Sequence, residues 1–210
     1  MTTPVIQKSS TEQYHDEQIL VVPRTALFPD GAWQGLSAIN AETFSATVTT
    51  QGQFLPRAEM EVNPAYKQII PYLIFEHSGR YFMMERRAEA SEQRLKSKLS
   101  LGIGGHIRSE DIDGTDIATW AAREFEEEVS YSGTYTIELI GALNDDSNAV
   151  GEVHVGVVYL LRGDSDQIAI KSEHKSGMLL TLEECLNMKE RFENWSQIVL
   201  DFLATTHRIS

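Results

Sequence analysis

Cysteine is nearly absent from this chain. Cys185 stands alone among 210 residues, so there is no disulfide framework and no cysteine-built metal site, and the residue reads as a small buried group on a helix. Long apolar runs are missing as well. Nothing approaches the roughly 18 consecutive apolar residues of a membrane helix, and the N-terminal MTTPVIQKSSTEQ lacks an apolar signal core. The expectation is a soluble cytoplasmic chain with no membrane partner. Positive charge is scarce: 18 Lys and Arg face 31 Asp and Glu, a formal net charge of −13. Affinity for long nucleic acid comes mainly from cations that neutralise phosphates, so this balance argues against a nucleic acid polymer as partner. A small phosphorylated substrate stays compatible, because metal ions and a few placed arginines recruit one locally. Repeats, low-complexity tracts and linkers rich in Pro, Gly or Ser are also lacking. The chain therefore reads as a domain over 61–210 with an N-terminal β-rich extension, 1–60, packed on it; assembly as a homodimer is left open.

What is present concentrates between Leu101 and Tyr131. This stretch holds a glycine turn (GIGG), an acidic loop and a predicted helix over Asp116 to Val129. In that helix Ile117, Ala121 and Phe125 form an apolar stripe for a sheet. Glu124, Glu127 and Glu128 stand at i, i+3 and i+4 and share another face. Like charges at this spacing repel, and the C-terminal end of a helix disfavours anions. A solvated acidic face is one reading. A divalent ion is the other, since Mg²⁺ takes oxygen ligands and gathers substrate phosphates. Arg123 is four residues before Glu127 and so within reach to hold its rotamer. GIGG has no following Lys-Ser or Lys-Thr, so a P-loop is unsupported.

Gly105 with Arg123-Glu124-Phe125-Glu126-Glu127-Glu128 resembles the signature box of the Nudix hydrolase family. The likeness departs at Thr115, where the box expects its first glutamate, at Ser130, where it expects a closing glycine, and in the longer loop after Gly105. The segments NPAYKQIIPY and NDDSNAVGEVHVGVVY further resemble a bacterial branch of the family described as predicted phosphoesterases. Resemblance to this family implies an α/β/α sandwich with a mixed sheet. It implies Mg²⁺, with Mn²⁺ as substitute, on Glu124, Glu127, Glu128 and the Gly105 carbonyl. Thr115 puts the support of the box arginine in question, and Glu110, Asp111 or Asp113 are its possible replacements. Family members often draw a general base from the region of Glu173, so Glu127 and Glu173, with Arg123, make up the catalytic expectation.

The remaining chain alternates strands and helices, which agrees with an α/β sandwich. Ile19 to Phe28, interrupted by Pro23, reads as an edge strand or two short ones. Thr47 to Phe54 reads as a strand, and Ile69 to Phe75 with Tyr81 to Met84 as a hairpin. Arg57, Lys67, Arg86 and Arg87 are cationic candidates for phosphate, and Tyr66 for stacking on a base. His106 either lines the site or makes a structural hydrogen bond. Asp145 and Asp146 in NDDSN either form a turn or meet a second cation or a ribose. His154 reads more readily as structure than as a ligand. Thr181 and Glu184 form a capping box for the next helix. The leading expectation is a metal-dependent hydrolase that cleaves a pyrophosphate linkage in a nucleoside diphosphate derivative or related molecule. The alternative is a nucleotide-sensing module without catalysis. An isomerase acting on isoprenoid diphosphates fits less well, since the one cysteine lies far from the box.

Overall fold

Residues 17–86, 98–111, 116–171 and 175–207 are described by the computed structural model. In chain order they form β1 (Gln18–Pro23), α1 (Arg24–Leu27), β2 (Gly35–Ser37), α2 (Ala41–Gln51), β3 (Gln53–Pro56), α3 (Arg57–Met60), β4 (Tyr66–His77), β5 (Arg80–Arg86), β6 (Leu99–Ser100) and β7 (Gly102–Ile103). There follow α4 (Ile117–Glu128), β8 (Val129–Tyr131), β9 (Tyr135–Asn144), α5 (Ala149–Val153), β10 (His154–Gly163), β11 (Ile168–Ile170), β12 (Lys175–Thr181), α6 (Leu182–Asn187) and α7 (Asn194–His207).

The main sheet runs β12-β5-β4-β10-β9-β2, with β1, β3, β6 and β7 joined at its flanks. β4 and β10 pair in parallel from Gln68 opposite His154 to Glu76 opposite Arg162, while β10–β9 and β12–β5 are antiparallel, so the sheet is mixed. Both central strands are apolar on both sides, as strands covered on two faces must be. Leu73 and Phe75 of β4 pack with Val155 and Val157 of β10 and with Trp120, Ala121 and Phe125 of α4. Tyr72 and Ile74 point the other way and pack with Val158, Leu160, Cys185 of α6 and Val199 and Leu200 of α7. One helix layer on each face makes the α/β/α sandwich. Among the described residues no helix is long and apolar enough to cross a membrane.

Strands on either side of residue 60 share hydrogen bonds: β1 pairs with β4 and β2 with β9. The β4–β5 hairpin turns through Ser78 and Gly79, and Thr181 and Glu184 form the capping box of α6, as the sequence predicts.

Two local expectations need correction. Thr47 to Gln51 continues α2 and only Gln53–Pro56 is extended. Asn40 caps that helix by accepting from the Thr43 amide, the hydroxyls of Thr47 and Thr50 bond to carbonyls four residues back, and Val48 is buried. These local bonds and the packing override the β-branched composition. β1 is no edge, since it lies between β3 and β4. Pro23 is tolerated because it is the last residue of β1 and the cap of α1, where no ladder donor is required. Further along, Ala149–Val153 is a turn of helix capped by Asn148, and β10 begins at His154.

Candidate functional site

Helix α4 is fixed in rotation by its apolar side. Asp116 caps it, accepting from the Thr119 amide at 2.7 Å. Phe125 stacks on Phe75 with ring centroids 5.8 Å apart and an interplanar angle of 11°. With Ala121 and Phe125 fully buried, Glu124 and Glu128 come to lie half-buried and Glu127 exposed. The segment after β7 runs past β4 so closely that a Cβ on Gly104 would stand 1.9 Å from the Pro71 carbonyl oxygen. Only glycine passes there. At Gly105 an added Cβ would stand 2.9 Å from Glu124 Oε1.

The turn backbone and the first box carboxylate are therefore in contact. Burial, then the charges of Glu128 and Glu127, push the Glu124 carboxyl up to about 7. Burial is the larger cause and the neighbouring carboxylates the smaller; carboxylate oxygens are the donors that a hard divalent ion takes.

Arg123 sits between the acidic loop and the helix. Its Nη2 is 3.3 Å from Asp111 Oδ1 and its Nε 3.5 Å from Glu127 Oε1. Asp111 in turn accepts from Arg108, at 2.9 Å from Nε and 3.2 Å from the backbone amide. Thr115 and Asp113, and with them Arg87 and Glu173, lie outside the described residues, and Arg86 ends β5 without a described side chain.

A cavity of about 620 Å³ opens beside Glu128 and the Gly105 turn; Glu124 and Glu127 do not line it. Gly105, His106, Glu128 and Arg57 line it, as do Lys98 and Trp195, which no sequence pattern assigns to the site. Trp195 meets Tyr72 edge-on with centroids 5.6 Å apart. Its position at the start of an otherwise ordinary amphipathic helix carries no sequence signal. Arg57 is held by Glu17 at 2.8 Å and Glu61 at 3.1 Å.

Several predicted substrate contacts serve elsewhere. Tyr66 packs against Ile19, Val21 and Met60 and is not among the cavity residues. Lys67 is wholly buried, and its ammonium donates to Asp146 Oδ1 at 2.8 Å, Gly151 O at 2.7 Å and His154 O at 3.3 Å. Three donors have three acceptors, which leaves none for phosphate. Asp146 also accepts from Arg24 and from Asn144. Burial opposes its charge, but these donors outweigh burial and hold it well below the usual carboxylate range. Asp145 is buried too and accepts from Gln34 at 2.7 Å, the Ser147 amide and Asn148. The NDDSN loop is thus a tied turn that sets α5 and the start of β10.

That turn positions a histidine pair. His154 Nδ1 is 2.7 Å from Val150 O, so it donates there and leaves Nε2 as an acceptor. His106 Nε2 lies 3.3 Å from His154 Nε2, 2.8 Å from Gln68 Oε1 and 4.0 Å from Glu61 Oε1. Burial, then Arg57 and His154, push His106 down to about 3, and burial lowers His154 as well. Both rings are neutral at ordinary pH.

No protein-family model matches the chain. Protein YmaB of Bacillus subtilis (strain 168) is 32% identical over 205 residues, covering 90% of this chain and 98% of that protein. Among solved structures, Tm1382, a candidate Nudix hydrolase, is similar with a TM-score of 0.78 and 30% identity over 90% of this chain and 100% of that one. The Nudix domain of Shewanella oneidensis NrtR, solved with ADP-ribose, has a TM-score of 0.51 at 14% identity over 69% of this chain and 89% of that one, a likeness of fold alone.

Proposed function

Because this chain belongs to the Nudix hydrolase superfamily, we propose that it hydrolyses a pyrophosphate linkage in a nucleoside diphosphate derivative or a related small phosphorylated molecule, with Mg²⁺ or Mn²⁺ as cofactor. The contact of Glu124 with the Gly105 turn carries this reading, since it sets a half-buried carboxylate against the backbone turn that, with Glu128, lines the cavity. Glu124, Glu127, Glu128 and the Gly105 carbonyl would hold the ion. When bound, such an ion neutralises phosphate charge and acidifies a water molecule.

The protein's own groups supply the rest. Hydrolysis forms a bond from water oxygen to phosphorus, breaks the bridging P–O bond and delivers a proton to a carboxylate. We assign that proton to Glu127 or Glu173. Arg123, 3.5 Å from Glu127, restricts the rotamer of Glu127. Lys98 on the cavity wall is a cation for phosphate oxygens, beside Arg57, which is already paired with Glu17 and Glu61, and Trp195 offers an aromatic face to a base. The cavity volume is in the range of small-molecule sites.

Phosphate NMR on nucleoside triphosphates, dinucleoside polyphosphates, NAD, nucleotide sugars and ADP-ribose, with Mg²⁺, Mn²⁺ or chelator, tests the proposal; the ligand of the NrtR domain puts ADP-ribose on that panel. Metal-dependent cleavage of one class, lost in Glu127→Gln, is the expected result. A compound that raises the melting temperature while no compound is cleaved would replace hydrolysis with nucleotide sensing.

A further inference from the structure

We propose that Glu61, His106 and His154 form a second metal site, distinct from the glutamate cluster, that takes a transition ion of the Zn²⁺ class on two imidazole nitrogens and one carboxylate. One ligand atom from each of the three lies within 4.8 Å of the others. The spacing of the imidazoles is the sharper observation. Two nitrogens bound at 2.0–2.1 Å to a tetrahedral ion are about 3.3–3.4 Å apart. The two Nε2 atoms are 3.3 Å apart.

The surroundings fit the same chemistry. His154 is 7% exposed, and its ring is oriented by donation from Nδ1 to the Val150 carbonyl, the contact that commonly fixes a ligating histidine. Its Nε2 lone pair is aimed at His106. Lys67, through the carbonyls of Gly151 and His154, holds the backbone that carries this ring. Neutral imidazoles are the ligating form, and burial keeps both rings neutral.

Without metal, the His106 Nε2 proton is shared between Gln68 Oε1 and His154 Nε2. On binding, this proton moves through solvent to Nδ1, so the ring stays neutral and no proton is released. Glu61, which Arg57 steadies at 3.1 Å, supplies the one negative charge. His106 and His154 both line the cavity, so a remaining coordination position faces it. Three protein ligands with an open fourth position define a site that can accept an oxygen from a bound molecule. Nitrogen donors favour Zn²⁺, Ni²⁺ or Cu²⁺ over Mg²⁺, which separates this site from the all-oxygen cluster.

The test needs no substrate and so is independent of the hydrolase reading. Metal-stripped full-length protein is titrated with Zn²⁺ against a chromophoric chelator, and its imidazole ¹⁵N resonances are followed by NMR. One equivalent should bind and shift Nε2 of both His106 and His154, with millimolar Mg²⁺ present. Glu61→Gln and His106→Gln should each weaken that binding by at least about tenfold, the lower end of what even an outer-shell change costs, while Glu124→Gln leaves it intact. The NMR shifts in the unmutated chain keep the proposal open to refutation if a variant folds poorly. Unshifted imidazoles, or Zn²⁺ binding that only Glu124→Gln removes, would overturn it.

Discussion

Asp111 Oδ1 stands 3.3 Å from Arg123 Nη2, which ties the acidic loop to the single basic residue of α4. Among the described residues Asp111 is thus the loop carboxylate that reaches the box arginine. Burial works against the charge of Asp111, but hydrogen bonds from Arg108 and the charge of Arg123 outweigh it and keep the carboxyl below its ordinary range. Asp111→Asn preserves the shape and removes the charge. Arg123 is then free to turn away, and Glu127 loses its restraint. Turnover should fall by about tenfold, the lower end of what losing an outer-shell partner costs. The melting temperature should move little, because half-exposed ion pairs contribute only about 0.2–1 kcal/mol. Steady-state kinetics beside a thermal melt decides it. Lost stability with full turnover would make Asp111 a clamp for the loop alone.

Gly105→Ala tests the contact at the centre of the site. The new methyl would stand 2.9 Å from Glu124 Oε1, so either the carboxylate or the turn must move. The change should cost little stability, since the obstacle is the end of a flexible side chain. Metal-dependent turnover should drop by about one to two orders of magnitude, a size typical of disturbed ligand orientation. A variant with normal turnover and normal Mn²⁺ dependence would refute the role given to this turn.

How far the sequence could be read varies with the physics. The stripe Ile117, Ala121, Phe125 and the face Glu124, Glu127, Glu128 are helical neighbours, and their arrangement follows from 3.6 residues per turn alone. The same holds for Asp116, Asn40 and Thr181, whose side chains cap helices locally. Lys67 and Tyr66 are different, because alternation along β4 says which side a residue takes and nothing about what meets it there. Lys67 meets Asp146 from a loop 79 residues away. The carboxylate therefore satisfies a buried cation instead of a substrate. Trp195 and Lys98 reach the cavity only through the sheet order, and His106 meets His154 only because β7, which precedes it, and β10 both pair with β4. Such pairings are long-range and leave no local pattern.

Lys67→Met probes that long-range knot. The substitution keeps the volume roughly but leaves Asp146 with one cation fewer and takes a donor from the Gly151 and His154 carbonyls. Breaking a buried pair from one side costs about 3–5 kcal/mol, and with Arg24 still paired to Asp146 the cost should lie near the low end. For a chain of this size that lowers the melting temperature by roughly 10 °C. Equal melting temperatures for the native chain and Lys67→Met would show that the knot contributes nothing to stability.

Glu124 gives the fold a pH dependence whose sign is opposite to that of an ion-paired carboxylate. Its carboxyl is pushed up to about 7 in the folded chain from an ordinary value of 4.5. Between these values the folded state holds a proton that the unfolded state has released. Stability of the metal-stripped protein should therefore fall as pH rises from about 4.5 to 7, by at most about 1.4 kcal/mol per pH unit. Screening by solvent reduces that figure. Glu124→Gln cannot ionise, so it should flatten the slope and be more stable than the native chain at pH 8 in chelator. Mg²⁺ should reverse the order at pH 8, because an ion bound only to the folded state adds about 2.7 kcal/mol at a hundredfold excess over its dissociation constant, and the variant lacks a ligand for it. Urea denaturation at pH 5 and pH 8, with chelator or Mg²⁺, measures all four cases. A native chain whose stability is the same at both pH values in chelator, or one that Mg²⁺ fails to stabilise at pH 8, would mean that the three glutamates are a solvated acidic face.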